Sequence, residues 1–209
     1  MFYLVKTPKW VSKLFGGSIW EMPETPKAIY LTFDDGPHPH ITPFVLDELD
    51  KYGAKATFFC IGKNVVEHPG IFNRILERGH AVGNHTHNHL DGWKTQNAKY
   101  LQNILEASKH INSNLFRPPY GRITTKQYSD LQKPDKPFKI VMWSVLTGDF
   151  DVTITPEQCY ANVLKNTESG SVIVFHDSEK AYERLKYTLP LLLKYFSEKG
   201  YQFEKIVSL

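Results

Sequence analysis

The sequence predicts an α/β chain folded as a single domain, a distorted and incomplete (β/α)7 barrel. Three observations carry this reading. Seven short apolar runs rich in β-branched and aromatic residues recur along the chain, and segments with helical punctuation separate them. The length, 209 residues, suits one domain with a sizeable core. Seven strands fall short of the eight of a closed barrel, so a barrel with a gap is expected rather than an open doubly wound sheet.

The elements follow in chain order. Residues 1–27 read as an N-terminal extension packing on the barrel, within a domain that spans 1–209. In its opening, "MFYLVKTPKWVSKLF", Trp10, Val11, Leu14 and Phe15 share one face of a short basic helix, which either plugs one end of the domain or touches a membrane surface. Lys6, Lys9 and Lys13 interrupt this stretch, leaving no apolar core of about 7–15 residues for a signal peptide. No segment approaches the roughly 18 apolar residues of a membrane span. The expected compartment is therefore the cytoplasm or the inner membrane's periphery.

The strand-like runs are "AIYLTF" (28–33), "ATFFCI" (56–61), "HAVG" (80–83), "LFR" (115–117), "KIVMWS" (139–144), "SVIVFH" (171–176) and "YQFEKI" (201–206). Between them, Thr42 with Pro43 predicts a helix start and Gly53 its stop. Residues 69–78 form a second helix ending at Gly79. Leu101, Ile104, Leu105, Ser108 and Ile111 keep a 3.6-residue spacing. "TPEQ" at 155–158 combines a capping box with a first-turn Pro, and a last helix over 189–199 closes at Gly200.

The net charge of +3 is mild, and no cluster of Lys and Arg forms a phosphate-tracking stripe, which argues against nucleic acid. Cys60 and Cys159 are the only cysteines and form no CxxC pair; Cys60 reads as a buried thiol.

The reactive residue types gather at carboxyl ends of strands, where α/β enzymes build their sites. Asp34 and Asp35 follow the first run, His85 and His89 the third, "FRPPYG" (116–121) the fourth, Asp149 the fifth, and His176 ends the sixth. His85 and His89, four apart, are expected on one side of a helical turn, a metal-binding spacing. His87 could substitute, though it would point away from that face. One carboxylate of the Asp pair would complete a His2Asp set with coordination positions left open, the mark of catalysis rather than structure. His40, His68, His80 and His110 read as ordinary. A non-haem iron oxygenase also uses two His and one carboxylate, but the βα alternation disfavours it.

"TFDDGP", "HTHNH", "RPPYG" and "FHD", in this order, resemble the polysaccharide deacetylases, the NodB homology domain of carbohydrate esterases, from about Ala28 onward. The resemblance implies a distorted barrel holding one divalent metal, zinc first, with cobalt, nickel or manganese as alternatives. It implies removal of N-acetyl groups from an N-acetylglucosamine-type saccharide. An O-acetyl esterase acting on a polymer such as xylan and a catalytically silent glycan-binding relative are the alternatives. It further implies Asp35, His85 and His89 as metal ligands, Asp34 as general base and Arg117 as its partner. Tyr120 is implied as an oxyanion donor through its backbone N–H, Asp149 as the orienting acid and His176 as general acid. Leu146, where many relatives carry Asp, Phe150, where they carry Trp, and Val174, where a Leu usually lines the acetyl pocket, depart from the pattern.

Overall fold

The computed structural model describes residues 3–14, 16–24, 27–133 and 138–207. Its centre is a curled parallel sheet in the order β5-β4-β3-β2-β1-β7-β6. These strands are β1 (Ala28–Asp34), β2 (Ala56–Cys60), β3 (Ala81–Asn84), β4 (Leu115–Phe116), β5 (Lys139–Ile140), β6 (Val145–Leu146) and β7 (Val172–His176). A short β8 (Gln202–Phe203) pairs with the start of β1. Around the sheet run α1 (Lys9–Leu14), α2 (Ile41–Asp50), α3 (Gly62–Glu67), α4 (Pro69–Glu77), α5 (Asn97–Ser108), α6 (Thr125–Leu131), α7 (Pro156–Asn166) and α8 (Tyr182–Glu198). This is the distorted, incomplete (β/α)7 barrel that the sequence predicts.

Every residue of β1 is buried, because β2 and β7 flank it and helices cover its outer face. Strand pleating divides it in two. Ile29, Leu31 and Phe33 join the outer core with α2 and α8, where Phe33 stacks between Phe58 (5.1 Å) and Phe175 (5.8 Å). Tyr30 belongs to the inner cluster with Phe59 and Val172, and Thr32 and Asp34 share that inner side. In β7, Ile173 and Phe175 face outward by the same rule, which turns Val174 and His176 inward.

Several expected elements differ. The run 139–144 is not one strand. It breaks at Val141–Ser144 because the N-terminal segment bonds to this stretch: Ile19 pairs with Val141, the Thr7 N–H donates to the Ser144 carbonyl (2.9 Å) and the Leu146 N–H to the Val5 carbonyl (2.8 Å). Helix α2 begins at Ile41 rather than after a Thr42 cap, since the Thr42 hydroxyl is engaged by the His38 N–H (2.7 Å) and by Asp177. Helix α8 starts at Tyr182 and carries Pro190 inside it. The Thr155–Gln158 capping box closes in both directions, as does one at Thr124–Gln127. Trp10 is exposed and Val11 packs against an inner cluster; Phe15 and the Leu14 side chain lie outside the described residues. Cys60 and Cys159 are buried free thiols. Among the described residues no helix is long and apolar enough to cross a membrane.

Candidate active site

Asp34 projects into the barrel, where it meets Arg117, the residue that follows β4. The Arg117 guanidinium is wholly buried. Its Nη1 donates to Asp34 Oδ1 and Thr32 Oγ1, both at 2.7 Å, its Nε to the Val141 carbonyl (3.1 Å) and its Nη2 to the Met142 carbonyl (2.8 Å). The Phe59 ring lies 4.1 Å from the guanidinium carbon. A buried cation is tolerable only when its donors are satisfied in this way. Burial draws the Arg117 pKa down and Asp34 opposes that.

Asp35 leaves the strand with φ 82°, a left-handed conformation uncommon outside glycine. The turn breaks the in-out alternation and brings the second carboxylate to the same cavity as the first. Several groups outside the motif hold it there. Asn64 Nδ2 donates to the Asp35 carbonyl (2.7 Å), the Gly36 N–H to Asp177 Oδ1 (2.9 Å) and the Asp177 N–H to the Asp34 carbonyl (3.0 Å). A Cβ on Gly36 would fall 2.1 Å from Asp177 Oδ2, so only glycine fits. Burial pushes the Asp177 carboxyl up to about 8, against the Thr42 hydrogen bond and with the nearby Asp35 charge adding to the rise.

His85 and His89 do not sit on a helical turn. The segment after β3 is a loop in which Thr86 (φ 63°) and His89 (φ 54°) are both left-handed, and this folding brings the two rings to 5.1 Å. His85 Nδ1 bonds to the Arg117 carbonyl at 2.7 Å, directing Nε2 toward Asp35. Burial drops the His85 pKa to about 4, keeping the ring neutral as metal ligation requires. His85 Nε2 lies 3.8 Å and His89 Nε2 3.2 Å from Asp35 Oδ1. Asp35, His85 and His89 each offer a donor atom, all within 4.8 Å of one another, the one such group among the described residues. Asp35 Oδ1 is buried without a well-aligned hydrogen-bond donor, which a cation would remedy. The residues present therefore fit a divalent metal. Burial would raise the Asp35 carboxyl, yet the close approach of His89 Nε2 (3.2 Å) and the neighbouring His176 and His85 hold it well below the usual carboxylate range. His87 packs away from the group, against Gly62.

Opposite the carboxylates, Asp149 is fully buried and grips His176 twice: Oδ2 accepts its backbone N–H (2.7 Å) and Oδ1 meets its Nδ1 (2.8 Å). Arg184 Nε donates to the Asp149 carbonyl (2.6 Å). Burial works against a charged imidazole, but Asp149 outweighs it, with Asp35 and Asp34 adding, so the His176 pKa rises to about 10. Tyr120, in the turn Pro119–Gly121 after β4, is left-handed (φ 61°) and sets its ring 4.7 Å from that of His89. A cavity of about 770 Å³ joins Asp34, Asp35, His85, His89, Tyr120 and His176. Leu146, Phe150 and Val174 line its wall, with Phe150 edge-on to His176 at 5.3 Å.

The supporting residues Asn64, Asp177 and Arg184 escape a reading of the sequence. Only Asp177 carried a signal, the last letter of "FHD"; Asn64 and Arg184 lie in helices that give none.

A family model for polysaccharide deacetylase matches residues 21–134. A peptidoglycan-N-acetylglucosamine deacetylase of Bacillus cereus is 34% identical over 91% of both chains. The peptidoglycan-N-acetylglucosamine deacetylase PgdA of Listeria monocytogenes is 33% identical over 94% of this chain, which spans 42% of that longer protein. Among solved structures, the Bc1960 peptidoglycan N-acetylglucosamine deacetylase, in complex with a naphthalenyl N-oxidanyl-benzamide, superposes with a TM-score of 0.86 at 32% identity, covering 96% of this chain and 95% of that one.

Proposed function

From the premise that the chain belongs to the polysaccharide deacetylase family, we propose that it is a metal-dependent hydrolase that removes N-acetyl groups from an N-acetylglucosamine-type glycan. Its products are acetate and a free amino sugar. The observation that carries this reading is the pair of adjacent carboxylates in different surroundings. Asp35 faces two histidines, whereas Asp34 faces a buried arginine.

Asp35, His85 and His89 would hold a divalent cation, zinc first with cobalt, nickel and manganese as alternatives. The cation, when bound, supplies a Lewis acid for the acetyl carbonyl and the attacking water. Asp34 takes the proton from that water as its oxygen bonds to the carbonyl carbon, and Arg117 fixes the carboxylate in place for the transfer. The Tyr120 backbone N–H donates to the oxygen on which charge develops. His176 then gives its Nε2 proton to the departing nitrogen as the C–N bond breaks. Asp149, on Nδ1, fixes the tautomer and keeps the ring protonated near neutral pH. A glycan-binding module would need neither the Asp34–Arg117 pair nor the Asp149–His176 pair.

Acetate release from N-acetylated chitooligosaccharides by the zinc-loaded protein, set beside acetylated xylan, tests the reading. Asp34→Asn should keep the bound metal and lose about 10²–10⁴ in rate. Loss of metal in that variant would make Asp34 a ligand and overturn its assignment as base, while release from xylan alone would make the protein an O-acetyl esterase.

A further inference from the structure

The sheet ends at β6, and the N-terminal segment covers its free edge. Lys6 bridges Val145 in the antiparallel sense, the Leu146 N–H donates to the Val5 carbonyl (2.8 Å) and the Thr7 N–H to the Ser144 carbonyl (2.9 Å). Lys6 Nζ fastens the segment further, donating to the Asn166 carbonyl (2.8 Å) and to Glu168 (2.7 Å). Covering an edge strand blocks unwanted pairing. Here the cover also brings a side chain, Tyr3, into the wall of the active-site cavity. The Tyr3 ring packs on Phe150 at 5.1 Å, and Phe150 meets the His176 ring edge-on at 5.3 Å. Tyr3 is itself closely seated. Its hydroxyl abuts Gly148 (φ 82°), where a Cβ would fall 2.6 Å from the hydroxyl oxygen. Burial and then the neighbouring Asp151 charge push the Tyr3 pKa up to about 12, so the phenol stays protonated. Asp151 is anchored in turn, its Oδ1 accepting the Thr153 hydroxyl (2.7 Å) and N–H (3.0 Å).

Asp149 holds the His176 ring by Nδ1, which fixes one edge of the imidazole and leaves the far edge, with Nε2, to be steadied by packing. Phe150 supplies that packing, but it is only half-buried and sits in the turn after Asp149, so it needs a backing of its own. Tyr3 is that backing, and edge-on aromatic contacts of this kind are directional as well as apolar. We propose that Tyr3 is a positioning residue for the proton transfer: packed behind Phe150, it sets the tilt of the His176 ring and with it the direction in which Nε2 gives its proton to the departing nitrogen. The role rests on the reading of His176 as general acid above. It makes a residue more than a hundred and seventy positions upstream of the acid part of the same working unit.

The test sets Tyr3→Ala and Tyr3→Phe beside wild type in zinc-loaded protein, on an N-acetylated chitooligosaccharide and on an activated aryl acetate, whose leaving group departs without a proton. On the amide, Tyr3→Ala should lower kcat by about 5–50-fold with KM within about twofold, short of the roughly 10²-fold that an ångström of misplacement can cost. The ester should lose less than about threefold, and Tyr3→Phe, which keeps the ring, should recover most of the amide rate. In a His176→Ala background the Tyr3→Ala loss should vanish, because groups that act as one unit are not additive. Equal losses on the two substrates, a change in KM alone, or a loss that persists without His176 overturns the assignment. Proton–carbon correlation spectra of the histidine rings read the contact without turnover. Tyr3→Ala should shift the His176 signal and Tyr3→Phe restore it, while His80, at the amino end of β3, stays unmoved. That pattern upholds the hold of Tyr3 on His176 even where wild type releases no acetate; an unshifted His176 signal overturns it.

Discussion

Arg117→Met removes the cation at the barrel's centre and leaves a side chain of similar length. The substitution strips Asp34 of its 2.7 Å partner and deprives the Val141 and Met142 carbonyls and Thr32 of their donors, all in buried surroundings. Removing one partner of a buried ion pair costs about 3–5 kcal/mol, because the abandoned charge stays desolvated. In a domain of this size that corresponds to a fall in Tm of about 6–20 °C. Asp34→Asn should cost less, since Arg117 keeps its three other acceptors. The double variant should lose less than the sum of the singles by about 1–3 kcal/mol, the coupling expected of groups in direct contact. Urea unfolding of the chelator-treated proteins, followed by circular dichroism, measures all corners of this cycle. Additivity within about 0.5 kcal/mol, or an Arg117→Met cost below about 1 kcal/mol, would refute the claim that Asp34 depends on Arg117.

Chelation should abolish acetate release, with zinc or cobalt restoring it and raising the Tm; full activity in a metal-free preparation contradicts the reading of the triad. His176→Ala should slow N-acetyl hydrolysis by about 10²–10⁴ and an activated aryl acetate distinctly less, because an amine leaves poorly unless protonated; equal losses in a folded, metal-loaded variant remove His176 from the acid role. Burial raises the Asp177 carboxyl to about 8, so the metal-free folded state binds a proton that the unfolded chain releases above about pH 4. The stability linked to Asp177 is therefore present below that pH and lost as pH rises toward 8. Asp177→Asn should flatten this slope, gaining roughly 1–4 kcal/mol over wild type between pH 5 and pH 8 in urea unfolding; parallel curves would place the titration elsewhere.

Much of the site was legible because strand pleating and strand-end placement act locally. The buried run at 28–34 ends on Asp34, and 172–176 ends on His176, so the motif letters translate directly into position. The histidine spacing pointed to two residues that the structure brings together, though by another geometry. A helical turn and a loop with two left-handed residues can both juxtapose positions four apart, and no letter in "HTHNH" separates them. The break in 139–144 was hidden for a different reason. Its cause lies outside the run, in Ile19, more than a hundred residues away, and in Arg117, some two dozen residues upstream, which take the hydrogen bonds a longer strand would have used. Helix starts failed where a side chain had other work, as Thr42 does with Asp177.

The inward-outward alternation of β1 and β7 also fixes how the protein records mutation. Along 172–176 the odd positions Ile173 and Phe175 lie in the outer core, so their substitution should show first as reduced abundance of folded protein. The even positions Val174 and His176 line the cavity, where a tolerated change alters turnover at unchanged abundance. The same split separates Leu31 and Phe33 from Thr32 and Asp34 in β1. A scan scored for yield and for acetate release together should therefore alternate residue by residue along both strands. A single-residue insertion upstream of Asp34 would exchange the two classes at once, placing carboxylate against α2 and phenyl against the Asp35–His85–His89 cluster.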